Sequence, residues 1–219
     1  YGVVTLWPPV GTNPDPNHAH ADFAVWINGT LLDFSGEQYM SAPPAEDAST
    51  SFILIPSASA HGDVDDGHVV PGREYLHLHD GNGQVIHRHK LGLTFGDFFA
   101  SLTETGVSDI RLETRTENNH TYTQFWFCTL PTQKKTLEWY CDATTVRLFV
   151  NGIETPQGAN YVFTDGDQLL ITDATDPAEV KKELSLMTND ACLYSKTCPW
   201  RGEPPAEGCI ADPEVPCTE

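Results

Sequence analysis

Four of the nine histidines fall between Tyr75 and His89, as two His-x-His pairs (His77/His79 and His87/His89) around Asp80-Gly81-Asn82-Gly83. A third pair, His18/His20, lies upstream. A strand places residues i and i+2 on one face, so each pair presents two imidazoles side by side. Neutral imidazole ligates Zn²⁺, Cu²⁺ and Ni²⁺. The candidate metal ligands are therefore His18, His20, His77, His79, His87 and His89, holding one or two ions. Met40 and Met187 are the only methionines, and an even cysteine count points to disulfides, so soft Cu(I) ligation is disfavoured and the expected ion is copper(II) or zinc. Asp22 and Asp80, with Asp63 and Asp65, are carboxylates near histidines that could ligate or orient a ring. A single His-x-His on a strand is more often a polar solvent face than a ligand pair; three in one half of a chain shift that balance. His61, His68 and His120 read as ordinary loop or strand histidines.

Two short strands must carry the double pair. Asp80-Gly81-Asn82-Gly83 supplies residues that accept positive φ in a tight hairpin. Its register stays open. With an odd-numbered loop such as Gly81 to Gly83, His77 pairs with His87 and all four rings share one face. With a two-residue Asn82-Gly83 turn, the pairs point to opposite faces. Leu76 and Leu78 alternate with His77 and His79 and set them away from a core. On the returning strand Val85 travels with His87 and His89, whereas Ile86 travels with Arg88 and Lys90, a mixed pattern.

Elsewhere, Ala21 to Ile27, Asn28-Gly29 and Thr30 to Phe34 read as a hairpin, a device repeated at Thr144 to Val150, Asn151-Gly152 and Ile153-Glu154. Phe52 to Ile55, Asp109 to Thr116 and Tyr122 to Leu130 read as strands, and Tyr161 to Thr172 as two more. Thr94 and Asp97 cap a helix with Phe95, Phe98, Phe99 and Leu102 on one face. Asp176-Pro177 opens a second helix running to about Met187. Ala191 to Glu219, rich in cysteine and proline, reads as a coil held by disulfides. The expected class is mainly β (α+β): antiparallel sheets with hairpins and two short helices. The expected organisation is an N-terminal strand and proline-stiffened arm (1–17), a histidine-rich β domain with one helix (18–130), a second β module with a helix (131–190) and a cysteine-rich tail (191–219).

Acidic residues outnumber basic ones 31 to 12, a formal charge of −19, which sets nucleic acid and anionic lipid aside as partners. No apolar run reaches the roughly 18 residues of a membrane-spanning helix. The six cysteines are Cys128, Cys141, Cys192, Cys198, Cys209 and Cys217, with no Cys-x-x-Cys pair. Three disulfides in an oxidising compartment is the economical reading, with Cys128 joined to Cys141 by proximity and the other four paired inside the tail. Asn28-Gly29-Thr30 and Asn119-His120-Thr121 are glycosylation sequons. A chain beginning at Tyr1 without a signal-like segment fits a processed product. The expected location is secreted or cell-surface.

The stretch from Thr145 to Thr172 resembles β-grasp (ubiquitin-like) sheets through its Val150-Asn151-Gly152 hairpin and the Tyr161 to Ile171 segment. The whole chain is similar to a family of uncharacterised prokaryotic secreted proteins. That likeness rests on His18 to Phe23, the double His-x-His hairpin, Thr94 to Phe99 and the Cys192-to-Cys198 tail. It implies a secreted protein and attaches no activity. A β-grasp sulfur carrier would end in Gly-Gly after its last strand; this chain continues, so that role is not implied.

The function expected is a secreted or surface metal-binding protein whose partner is the ion itself. The alternative is a structural subunit of an extracellular assembly or filament, its Tyr1 to Val10 segment donated to a neighbour and its histidines at or near subunit contacts. A metalloenzyme, the minor reading, needs an open coordination position and a general base. No His-Glu-x-x-His, Gly-x-Ser-x-Gly or His/Cys/Met cupredoxin pattern supports one.

Overall fold

The structure, a computed structural model, describes residues 13, 17–41, 72–103, 108–129 and 140–203. The expected strands at Tyr1 to Trp7 and Phe52 to Ile55 lie outside the described residues, as do His61, Asp63, Asp65, His68, Cys209 and Cys217. Nine strands are described: β1 Ala19–Ile27, β2 Thr30–Leu31, β3 Leu76–His77, β4 Val85–Arg88, β5 Ser108–Glu117, β6 His120–Thr129, β7 Tyr140–Val150, β8 Ile153–Thr155 and β9 Asp167–Thr172. They form one curled mixed sheet in the order β3-β4-β1-β9-β7-β6-β5, with β2 on β1 and β8 on β7. The β1–β9 pair is parallel; the other strand pairs are antiparallel.

The hairpins follow from turn chemistry. Asn28-Gly29 (φ 51° and 69°) and Asn151-Gly152 (φ 51° and 79°) take the two positive-φ positions of a tight turn. In the histidine hairpin the turn falls on Asp80-Gly81 (φ 57° and 68°), closed by the Asn82 N–H donating to the His79 carbonyl at 3.0 Å. The register pairs His77 with His87, the arrangement in which all four rings share one face. Gly83 has a different duty: a Cβ there would sit 2.3 Å from the Phe34 carbonyl carbon and the Ser35 nitrogen. Only a bare backbone passes that point.

Strand alternation then sorts the sheet into two faces. Ala19, Ala21, Phe23 and Val25 of β1 join Leu76, Leu78, Ile86, Leu148, Leu169 and Ile171 in the main core. Helix α1 (Phe95–Ser101) covers that face. Its Thr94 hydroxyl accepts from the Asp97 N–H at 3.1 Å, and the Asp97 carboxylate accepts from the Thr94 N–H at 2.8 Å, the reciprocal cap expected. Phe95, Phe98, Phe99 and Leu102 are fully buried, and Phe23 meets Phe98 edge-on at 5.1 Å, a geometry the ring quadrupoles favour. The opposite face carries His20, Asp22, Ala24 and Trp26 of β1. Helix α2 (Pro177–Ser185) packs there through Val180 on Ala24, Phe149 and Leu170.

Two expectations are corrected. Within the described part of the tail, a third helix, α3 (Ala191–Tyr194), and a single turn at Pro199–Arg201 replace the expected coil, with Cys192 and Cys198 disulfide-bonded to each other. Tyr161 to Thr172 forms one strand rather than two. The carbonyls of Tyr161 and Phe163 are taken by the Phe95 N–H (2.8 Å) and the Arg88 guanidinium (2.5 Å), so that stretch runs extended without a ladder. Cys128 is disulfide-bonded and stands opposite Cys141 in the β6–β7 register. Asn28 and Asn119 sit exposed at hairpin tips.

Candidate metal centre

Register brings the three His-x-His pairs together. His87 of β4 lies directly across from His20 on one side and His77 on the other, so three imidazoles form a row over β1, β4 and β3. Cross-strand neighbours on one face stand about 5 Å apart. His18 and His89 lie along one side of this row and His79 along the other. Ring centroids run His18–His20 4.4 Å, His20–His87 4.8 Å and His87–His79 3.8 Å. His77–His89 at 4.8 Å and His89–His18 at 4.1 Å continue the circuit. All six candidate ligands are in one cluster; His120, on β6, is exposed and apart. His20, His77, His87 and His89 are each less than 7 % exposed.

Within the cluster His18, His20 and His87 each offer a nitrogen within 4.8 Å of the others, and this trio could hold a metal ion. The His18 and His20 Nε2 atoms are 3.0 Å apart. Two nitrogens on a metal at 2.0–2.1 Å are separated by about 2.9–3.4 Å in square-planar or tetrahedral geometry, so this pair is already at chelating distance.

Hydrogen bonds outside the trio fix which nitrogen His20 presents. The Ser195 hydroxyl donates its one proton to Asp165 Oδ1 at 2.5 Å and so accepts from His20 Nδ1 at 2.8 Å. His20 therefore carries its proton on Nδ1 and turns an Nε2 lone pair inward. The Asp165 carboxylate also accepts from the His20 main-chain N–H at 3.0 Å. Burial raises the Asp165 carboxyl, but hydrogen bonds from His20 and Ser195 outweigh it and leave Asp165 below the usual carboxylate range, hence ionised. Metal-bound histidines commonly have such an acceptor on the far nitrogen.

His77 and His79 have the same arrangement. His77 Nδ1 lies 2.8 Å from the Arg73 carbonyl, which can only accept. His79 Nδ1 lies 2.6 Å from Asp80 Oδ2. Both rings thus present Nε2. Since His79 Nε2 is then an acceptor, His87 Nδ1, 3.0 Å away, is the donor.

The two aspartates differ in what they touch. Asp80 contacts His79 directly. Asp22, fully buried, accepts from the Thr188 hydroxyl at 2.7 Å and from the Asp190 and Ala191 N–H groups at 2.7 and 3.1 Å. It ties down the start of α3 and reaches the histidines through that segment. Burial raises its carboxyl above the ordinary range, against those hydrogen bonds.

Sequence reasoning missed Ser195, Asp165, Tyr194 and Arg73. Tyr194, supplied by the tail, sits edge-on to His87 at 4.7 Å and to His79 at 5.6 Å, and near His20 at 5.7 Å. The Cys192–Cys198 bond closes the loop carrying Tyr194 and Ser195, and Arg201 clamps it through the Asn189 carbonyl and, at 2.7 Å, the Asp190 carboxylate. Arg73, itself 2 % exposed, donates to the carbonyls of Met40 (2.6 Å) and Ser101 (2.9 Å), which fixes the carbonyl holding His77. Three imidazoles leave a fourth tetrahedral position for water or a ligand.

No protein-family model, curated protein or solved structure matches the chain. Among the described residues no helix is long and apolar enough to cross a membrane.

Proposed function

We propose that this protein is a metal-binding protein of the cell exterior that holds Cu²⁺ or Zn²⁺ on His18, His20 and His87. The observation carrying this reading is the trio itself, three nitrogens within 4.8 Å, with His20 locked into its ligating tautomer by Ser195 and Asp165. Burying several imidazoles side by side is a poor way to build a core, because each polar ring must be desolvated and partnered. A bound cation turns that cost into coordination. Imidazole nitrogen suits both copper(II) and zinc. The disulfides of Cys128 and of Cys192 with Cys198 favour an oxidising compartment.

The test is a calorimetric titration of chelator-stripped protein with Zn²⁺ and, separately, Cu²⁺. Saturable binding that disappears in His20→Ala/His87→Ala supports the reading; heat identical in that variant contradicts it. Size-exclusion chromatography of the same samples, with and without chelator, tests whether metal also joins chains, the role left open for the Tyr1 to Val10 segment.

A further inference from the structure

The ligand-presenting hydrogen bonds extend beyond the trio. His77 and His79 are anchored at Nδ1 by the Arg73 carbonyl and the Asp80 carboxylate, as His20 is by Ser195. Such an anchor satisfies a buried ring N–H in any case; in a ligating histidine it also sets which nitrogen faces the ion. His79 Nε2 also stands 3.0 Å from His87 Nδ1, the same chelating separation as His18 Nε2 from His20 Nε2. The His77 ring lies parallel to His87, 5.8 Å away and tilted by only 10°.

We propose a second metal site, resting on the first, in which His77 Nε2, His79 Nε2 and His87 Nδ1 hold another Cu²⁺ or Zn²⁺ ion. His87 borders both sets and presents one ring nitrogen to each ion. The competing account of the 3.0 Å separation is an N–H···N hydrogen bond from His87 to His79. Metal binding replaces that bond: the His87 Nδ1 proton goes to solvent, and the two facing nitrogens each form a bond to the ion. A cavity of about 600 Å³ has Asp80, Asn82 and Tyr194 in its wall, and that Asp80 is the carboxylate in contact with His79. The formal charge of −19 favours accumulation of hydrated cations at the surface.

The experiment is a Zn²⁺ titration of stripped full chain, with stoichiometry read by calorimetry and by metal analysis after gel filtration. Wild type, His20→Ala, His77→Ala/His79→Ala and the milder His79→Gln are compared, each checked for retained fold by circular dichroism. The expected result is two ions in the wild type and one fewer in the His77/His79 variants, with the remaining ion unaffected by those changes. A second ion that persists in both His77/His79 variants overturns the proposal, because it then resides on other histidines. So does a single wild-type ion that the His77/His79 changes leave in place. No ion in any form is the distinct outcome that removes the first site as well.

Discussion

Ser195 acts on the site without touching an ion. By giving its proton to Asp165 it leaves His20 no choice of tautomer. Ser195→Ala is expected to lower metal affinity by roughly 10–100-fold, the usual effect of removing a partner of a ligating histidine. The fold should be intact, as competition titration against a chromophoric chelator together with circular dichroism would show. These partners lie 145 and 175 residues from His20, so no local pattern could announce them. The candidate ligands themselves were legible, because i, i+2 spacing needs only a strand to become a shared face. Away from the site, Glu183 of α2 is 3 % exposed, and burial, opposed by a Thr172 hydrogen bond and reinforced by Glu179 and Asp173, raises its carboxyl. A carboxyl raised on folding makes the native state bind more protons than the unfolded chain. Stability therefore declines as pH rises from the ordinary range, about 4.3, through the raised value. Glu183→Gln should flatten that decline in melts taken across this window; an unchanged pH profile would show that Glu183 is solvated in solution.

At the scale of elements, turn and cap chemistry was the most readable part of the chain. Asn28-Gly29, Asn151-Gly152 and the Thr94/Asp97 cap all form as the residue types require. Thr94→Ala should cost about 1 kcal/mol, measurable by urea unfolding. The tail was less legible. Its composition suggested a coil, yet Asp22 anchors α3 and the Cys192–Cys198 bond closes the turn after it. The long-range carboxylate bond, rather than any helical periodicity, decides the outcome. Cys192→Ser/Cys198→Ser opens a loop of sequence separation 6, for which chain entropy gives about 2–3 kcal/mol. The double variant is expected to lose that stability and to bind metal as weakly as Ser195→Ala, since both release His20. Full affinity in the double variant would detach the tail from the site. Gly83→Ala should also weaken binding, because the new Cβ meets backbone atoms of Phe34 and Ser35 and displaces the strand carrying His87.

For the whole molecule, the sheet order places the site. The hairpin strands pair with β1, and β1 pairs in parallel with β9, so segments distant in sequence converge on one histidine-bearing face. Sequence alone left that order open. It depends on which strand edges find each other, whereas the hairpins depend on neighbouring residues. An ion bound only by the native state stabilises by about 2.7 kcal/mol at 100 times its Kd. For a chain of 219 residues that corresponds to a rise in Tm of about 5–11 °C, reversed by chelator. Most direct of all is elemental analysis of the protein purified from metal-replete medium without chelator or affinity tag. Copper or zinc is expected at or above stoichiometric level, falling sharply in His20→Ala/His87→Ala. Less than about 0.1 ion per chain in the folded wild type would contradict the proposed site.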